Sequence, residues 1–209
     1  MTLALVVVGT AVMCGAGGLL AVRVGLRYLA VEPCRRGSAV ALVSGAAAGA
    51  AAGLVAHRLN SWPSFSALVL WSISLGAIAG CDVVAQRIPT ALVRQATVGV
   101  LVLFLLAAAI YDDWWRLARA SLVGGSVYAV LWLAWRFSTL GRGDVQIGPI
   151  GGIGVGWCGL HGVLAGIIAL CLVLLVQASV SLARGGTRRS LIPYAPALVA
   201  GFIVAAALS

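Results

Sequence analysis

The sequence predicts an all-α, polytopic membrane bundle of about eight transmembrane segments. Three observations predict it: 62% of the 209 residues are hydrophobic, only 9% are charged, and the mean hydropathy is +1.11. A soluble domain carries roughly a quarter charged residues. Eight spans of about 20 apolar residues each consume most of the chain and leave short loops, so one membrane domain over residues 1–209 is expected.

The first apolar run, about 3–22, begins at once, and Arg23 and Arg27 follow it instead of preceding it. That order is the reverse of a cleavable signal peptide, so the segment is expected to be retained with its N-terminus outside. The second run, about 38–56, carries Gly45, Gly49 and Gly53 on one helix face, a surface for close packing inside the molecule. The third, about 65–83, ends on Cys81-Asp82. The fourth, about 91–110, follows Pro89, whose fixed φ and missing N–H suit a first helical turn. After it, Asp112-Asp113-Trp114-Trp115 reads as a solvated loop with interfacial aromatics. A fifth run covers about 120–135.

From Val145 to Ala183 the chain has 39 residues without a charge, nearly twice one bilayer crossing. It is expected to fold back at Trp157-Cys158-Gly159-Leu160-His161, with an aromatic and a polar residue at interface depth. This gives segments at about 145–157 and 162–183, and an eighth at about 191–208. The sixth holds Gly148, Gly151, Gly152, Gly154, Gly156 and Pro149, and is expected to be short, irregular or tilted, and buried among the others.

Splitting the long run also orders the charges. All 14 basic residues are Arg, and with the N-terminus outside only Arg58, Arg116 and Arg119 fall outside, against 11 inside. An unsplit run moves Arg184, Arg188 and Arg189 outward and weakens the bias to 8 against 6. The net charge of +9 therefore reads as membrane orientation, and no nucleic-acid partner is expected. The five cysteines (Cys14, Cys34, Cys81, Cys158, Cys171) are scattered without a CxxC pair, which supports neither a zinc site nor a disulfide framework. Cys81 reads as small apolar packing.

Only five carboxylates exist: Glu32, Asp82, Asp112, Asp113 and Asp144. Asp82 and Asp144 alone fall at predicted cytoplasmic helix ends, in Asp82-Val-Val-Ala-Gln-Arg87-Ile88-Pro89-Thr90 and Gly141-Arg142-Gly143-Asp144-Val145-Gln146. An aspartate at the centre of a bilayer costs about 2.5–3.5 kcal/mol on insertion scales, so acids in or near spans are functional candidates. The bland alternative pairs Asp82 with Arg87 and Asp144 with Arg142, both solvated. Two aspartates facing each other suffice for acid–base hydrolysis of a peptide bond. His57 and His161 fall on the opposite side from this chemistry.

The order Asp-x5-Ile-Pro, then Gly-x-Gly-Asp at a later helix start, resembles the type IV prepilin peptidases, the GxGD class of membrane aspartic proteases. Ile192-Pro193-Tyr194-Ala195-Pro196 is similar to that family's Ile-Pro-Phe-Gly-Pro segment, and the likeness covers about residues 65–208. It implies that Asp82 and Asp144 are the catalytic pair, with Pro89, Gly141, Gly143, Pro193 and Pro196 supporting the motifs and no metal or cofactor. It also implies that the partners are pilin-like precursor proteins, whose leader is cut at the cytoplasmic face of the plasma membrane. Thr90 and Gln146 depart from the usual residues at their places. Full-length bacterial members carry paired CxxC motifs between the first two spans, whereas the loop here is about Arg23 to Gly37. That puts methyl transfer in doubt, and the short form is more similar to stand-alone peptidases of Flp-type pili and archaeal flagellin-like subunits. Two rival readings are a small proton-coupled transporter and a catalytically silent pilus-assembly subunit. The transporter requires acids near mid-span and two related halves, and no internal repeat is visible. The sequence carries no signal for oligomeric state.

Overall fold

Apolar length and short loops leave the chain one economical arrangement, a bundle of helices that alternate in direction. The computed structural model describes residues 3–32, 34–59, 62–137, 141–183 and 194–209. Among these the chain forms α1 (Leu3–Tyr28), α2 (Arg35–Leu59), α3 (Trp62–Ala85), α4 (Thr90–Tyr111), α5 (Trp114–Phe137), α6 (Arg142–Cys158), α7 (Val163–Ala183) and α8 (Ala195–Ala207). Six of them are long and apolar enough to cross a membrane; α6 and α8, with 17 and 13 residues, are shorter. Pro193 and the cluster Arg184, Arg188 and Arg189 lie outside the described residues.

Glycine spacing decides which helices meet. A Cβ on Gly45 would lie 2.7 Å from the Cys14 carbonyl oxygen, and one on Gly49 would lie 2.6 Å from that of Thr10. The glycine face of α2 is therefore filled by α1, as intramolecular packing requires.

α6 is enclosed by its neighbours. Gly148, Gly152 and Gly156 lie against Tyr128, Gly124 and Ala120 of α5, Gly151 lies under Phe202 of α8, and Gly154 lies under Trp71 of α3. Trp71 uses that gap to donate its indole Nε1–H to the Ile150 carbonyl oxygen at 2.8 Å. The expectation of burial holds, with Val145, Ile147 and Ile150–Trp157 all buried. Of the expected short, irregular or tilted forms the helix takes the short one, 17 residues that run unbroken through Pro149. Packing on several faces offsets the hydrogen bond that proline removes.

At the end of the bundle away from Asp82, Gly159 takes φ +148 and closes α6. Arg119 of α5 donates from Nε to the Gly156 carbonyl oxygen at 2.7 Å and from Nη2 to that of Trp157 at 3.2 Å. A cation thus meets the orphan carbonyls and the negative end of the helix dipole. The turn falls where the sequence predicts, and Trp157 beside it faces the interior of the bundle. It is fully buried and stacked on Phe104 with ring centroids 4.3 Å apart, because α4 covers that face. Trp114 and Trp115 do behave as surface aromatics, 51% and 74% exposed, beside an Asp113–Arg116 salt bridge of 3.0 Å.

Candidate active site

Both acids sit at the same end of the bundle, each placed by its helix terminus. Asp82 lies in the last turn of α3, where its carbonyl oxygen accepts the Gln86 N–H at 2.9 Å. Gln86 adopts φ +48, which turns the chain out of the helix. The chain then re-enters at once: Ile88 is 8% exposed, and buried Pro89 precedes α4 as its N-cap, one residue before the first turn where the sequence reading placed it.

Asp144 is the third residue of α6. Its N–H donates to the Gly141 carbonyl oxygen at 3.1 Å, and Gly141 is extended at φ −68, ψ 141. A Cβ on Gly141 would lie 3.0 Å from Asp144 Oδ2, and one on Gly143 would lie 3.3 Å from Ile88 Cδ1. The two motif glycines therefore do different work: Gly141 leaves room for the carboxyl, and Gly143 receives Ile88 from the first motif.

The third motif joins them through α8. The N–H of Ala195 donates to Asp82 Oδ2 at 3.1 Å. Ala195 opens the helix and Pro196 follows it, so the next backbone position has no N–H to offer. The free donor of that helix terminus is thereby spent on one carboxylate, where the helix dipole also favours negative charge.

Asp82 and Asp144 are 6% and 7% exposed, and the contact of Ile88 with Gly143 brings the helix ends that carry them together. Neither is paired with an arginine among the described residues. Among the described residues the salt bridge is Arg116–Asp113, while Arg142 turns its guanidinium over the Trp135 ring at 5.7 Å and Arg87 and Arg94 are exposed. The solvated-pair alternative is thus not what the chain adopts. Cys81 packs against α1, its Sγ 3.9 Å from the Val22 carbonyl oxygen. His57 and His161 are exposed at the opposite end. Among the described residues no three His, Cys, Asp or Glu side chains gather as metal ligands would.

Two contributors were not legible as individual residues. The Ala195 donor is a backbone group, and Ile88 is one aliphatic residue in an apolar chain. The buried acids, the glycine that admits Ile88 and the helix start that meets Asp82 form one site from the three motifs.

Among curated proteins, the chain is 33% identical over 153 residues to a prepilin leader peptidase/N-methyltransferase of Xanthomonas campestris pv. campestris. The chain belongs to the prepilin peptidase family. The alignment covers 68% of this chain and 50% of the relative, so this prepilin peptidase homologue spans about half the length of that protein. No family model and no solved structure matches.

Proposed function

We propose that the chain is a membrane-embedded aspartic endopeptidase that removes the leader of type IV pilin-like precursors of the Flp type. The observation that carries this reading is the burial of Asp82 and Asp144 at one end of the bundle, where Ile88 of the first motif meets Gly143 of the second and, among the described residues, no arginine pairs with either carboxylate.

Two neighbouring carboxylates do not ionise together easily, so the pair shares one proton. The ionised member takes a proton from water as its oxygen attacks the scissile carbonyl carbon, and the protonated member donates to the carbonyl oxygen. Collapse of the tetrahedral intermediate breaks the C–N bond, and the departing nitrogen leaves protonated as the amine. Every proton is supplied by the acids and water, so the chemistry runs on the chain's own residues.

The arginine bias of 11 against 3 supports a multi-pass plasma-membrane protein with its N-terminus outside and the acids at the cytoplasmic side. The relative's name includes N-methyltransferase. Here Tyr28 ends α1 and Arg35 begins α2, and Cys34 is the single cysteine between them. That loop supports a peptidase without the paired-cysteine element and without methyl transfer.

The test is co-expression with a pilin-like precursor, followed by the mass of the mature N-terminus. Wild type is expected to remove the leader, and Asp82→Asn and Asp144→Asn each to abolish removal while still inserting in the membrane. Substantial cleavage by either variant refutes the assignment, and added methyl mass on the product refutes the peptidase-only form.

A further inference from the structure

Among the described residues, the grooves along the apolar surface of the bundle include three between neighbouring helices. One of about 390 Å³ lies between α5 and α7. Another, of about 260 Å³, lies among α1, α3 and α4. The largest, about 500 Å³, lies between α2 and α8, with Val40 and Ala47 on one wall, Pro196, Ala200 and Ile203 on the other, and Ala79 of α3 between them.

We propose that the groove between α2 and α8 seats the apolar helix of the peptide substrate and leads its scissile bond to Asp82. The inference rests on the peptidase reading above. Continuity with the acid pair is the deciding observation. Pro196 follows Ala195, whose N–H meets Asp82, and Ala79 lies one helical turn before Asp82 on α3. From that point the walls continue to Ala47 and Ile203, roughly two helical turns or about 11 Å along the bundle.

The other two grooves lack this continuity. The one among α1, α3 and α4 reaches Cys81 and Pro89, but Pro89 packs onto Gly25 and Cys81 packs on Val22, which closes its approach to the acids. The groove between α5 and α7 borders Gly152, Val155 and Leu198, beyond the turn of α6 that holds Asp144.

The chemistry of the occupant follows from the burial of the acids. A peptide bond reaches carboxyls that are 6% and 7% exposed only by entering the bundle. In hydrocarbon every backbone polar group needs an internal partner, so the arriving segment is helical and apolar except at the bond to be cut. Small walls such as Ala47, Ala79 and Ala200 let two helix backbones approach.

Ala47→Trp and Ala200→Trp fill the groove at its middle, and Val127→Trp fills the α5–α7 groove as the control. With a full-length precursor, the first two are expected to raise KM by about tenfold or more with kcat little changed, while the control stays at the wild-type value. Thermal unfolding of each purified variant identifies any that fails to fold. For such a variant Ala47→Leu or Ala200→Leu replaces it, with a smaller KM rise in the same direction. Wild-type KM in folded Ala47 and Ala200 variants overturns the proposal, as does an equal rise in the control; a groove occupied only by lipid gives that first result. Loss of cleavage confined to the Asp82 and Asp144 variants keeps the peptidase reading intact whichever way the groove test falls.

Discussion

Gly154 offers a quantitative test of how α6 is held, because a single methyl there meets a rigid ring. A Cβ on Gly154 would lie 2.3 Å from Trp71 Nε1 and 2.4 Å from Cε2, where carbon contacts are ordinarily about 3.5–4.0 Å. Trp71 is fully buried, so its indole has nowhere to go without moving α3 or α6. Overpacking of this kind costs about 1–3 kcal/mol. Losing the Trp71 to Ile150 hydrogen bond adds about 1 kcal/mol. Gly125→Ala is the matched control, since nothing lies within 4 Å of its added methyl. Both substitutions carry the same gain in helix propensity, which cancels in the comparison. Gly154→Ala is therefore expected to be about 2–4 kcal/mol less stable than Gly125→Ala, a difference on the order of 10 °C in Tm for a chain of this size. Thermal unfolding of both in one detergent measures it. Trp71→Leu in the Gly154→Ala background should recover part of the loss, as a coupled pair does. Coincident unfolding of the two alanine variants would show that Trp71 does not lie on Gly154.

Other outcomes follow from the same contacts. Gly143→Val should displace Ile88, 3.3 Å from the position of the added Cβ, and reduce cleavage by about tenfold while Tm changes little; recovery with Ile88→Ala identifies the contact as the cause. Arg119→Ala leaves two carbonyls at the end of α6 without their charged donor and should cost about 1–3 kcal/mol in thermal unfolding, with leader cleavage retained below Tm. Asp144→Asn should unfold at or above the wild-type temperature, because it removes a buried acid; a large drop would make Asp144 a structural residue first.

Much of this arrangement was legible in the sequence because rare residues stand out in an apolar chain. The acids, the glycines beside Asp144 and the fold-back after Trp157 all follow from local spacing. The helix ends were less legible. α1 continues to Tyr28 through Arg23 and Arg27, since a helix persists beyond the hydrocarbon while arginine stems reach the interface. Partner choice was not legible at all. Glycines announce close approach without naming what approaches, so Trp71 over Gly154 and Phe202 over Gly151 required the fold. The partner of Trp157 is a further case: Phe104 lies on α4 and leaves no local mark.

The contact between Ala195 and Asp82 has a consequence for biosynthesis. α3 and α6 are synthesised before α8, so a growing chain holds both acids before the Ala195 N–H that meets Asp82 exists. On the peptidase reading proposed above, a ribosome-bound intermediate that has not yet made α8 carries both acids without the N–H that meets Asp82.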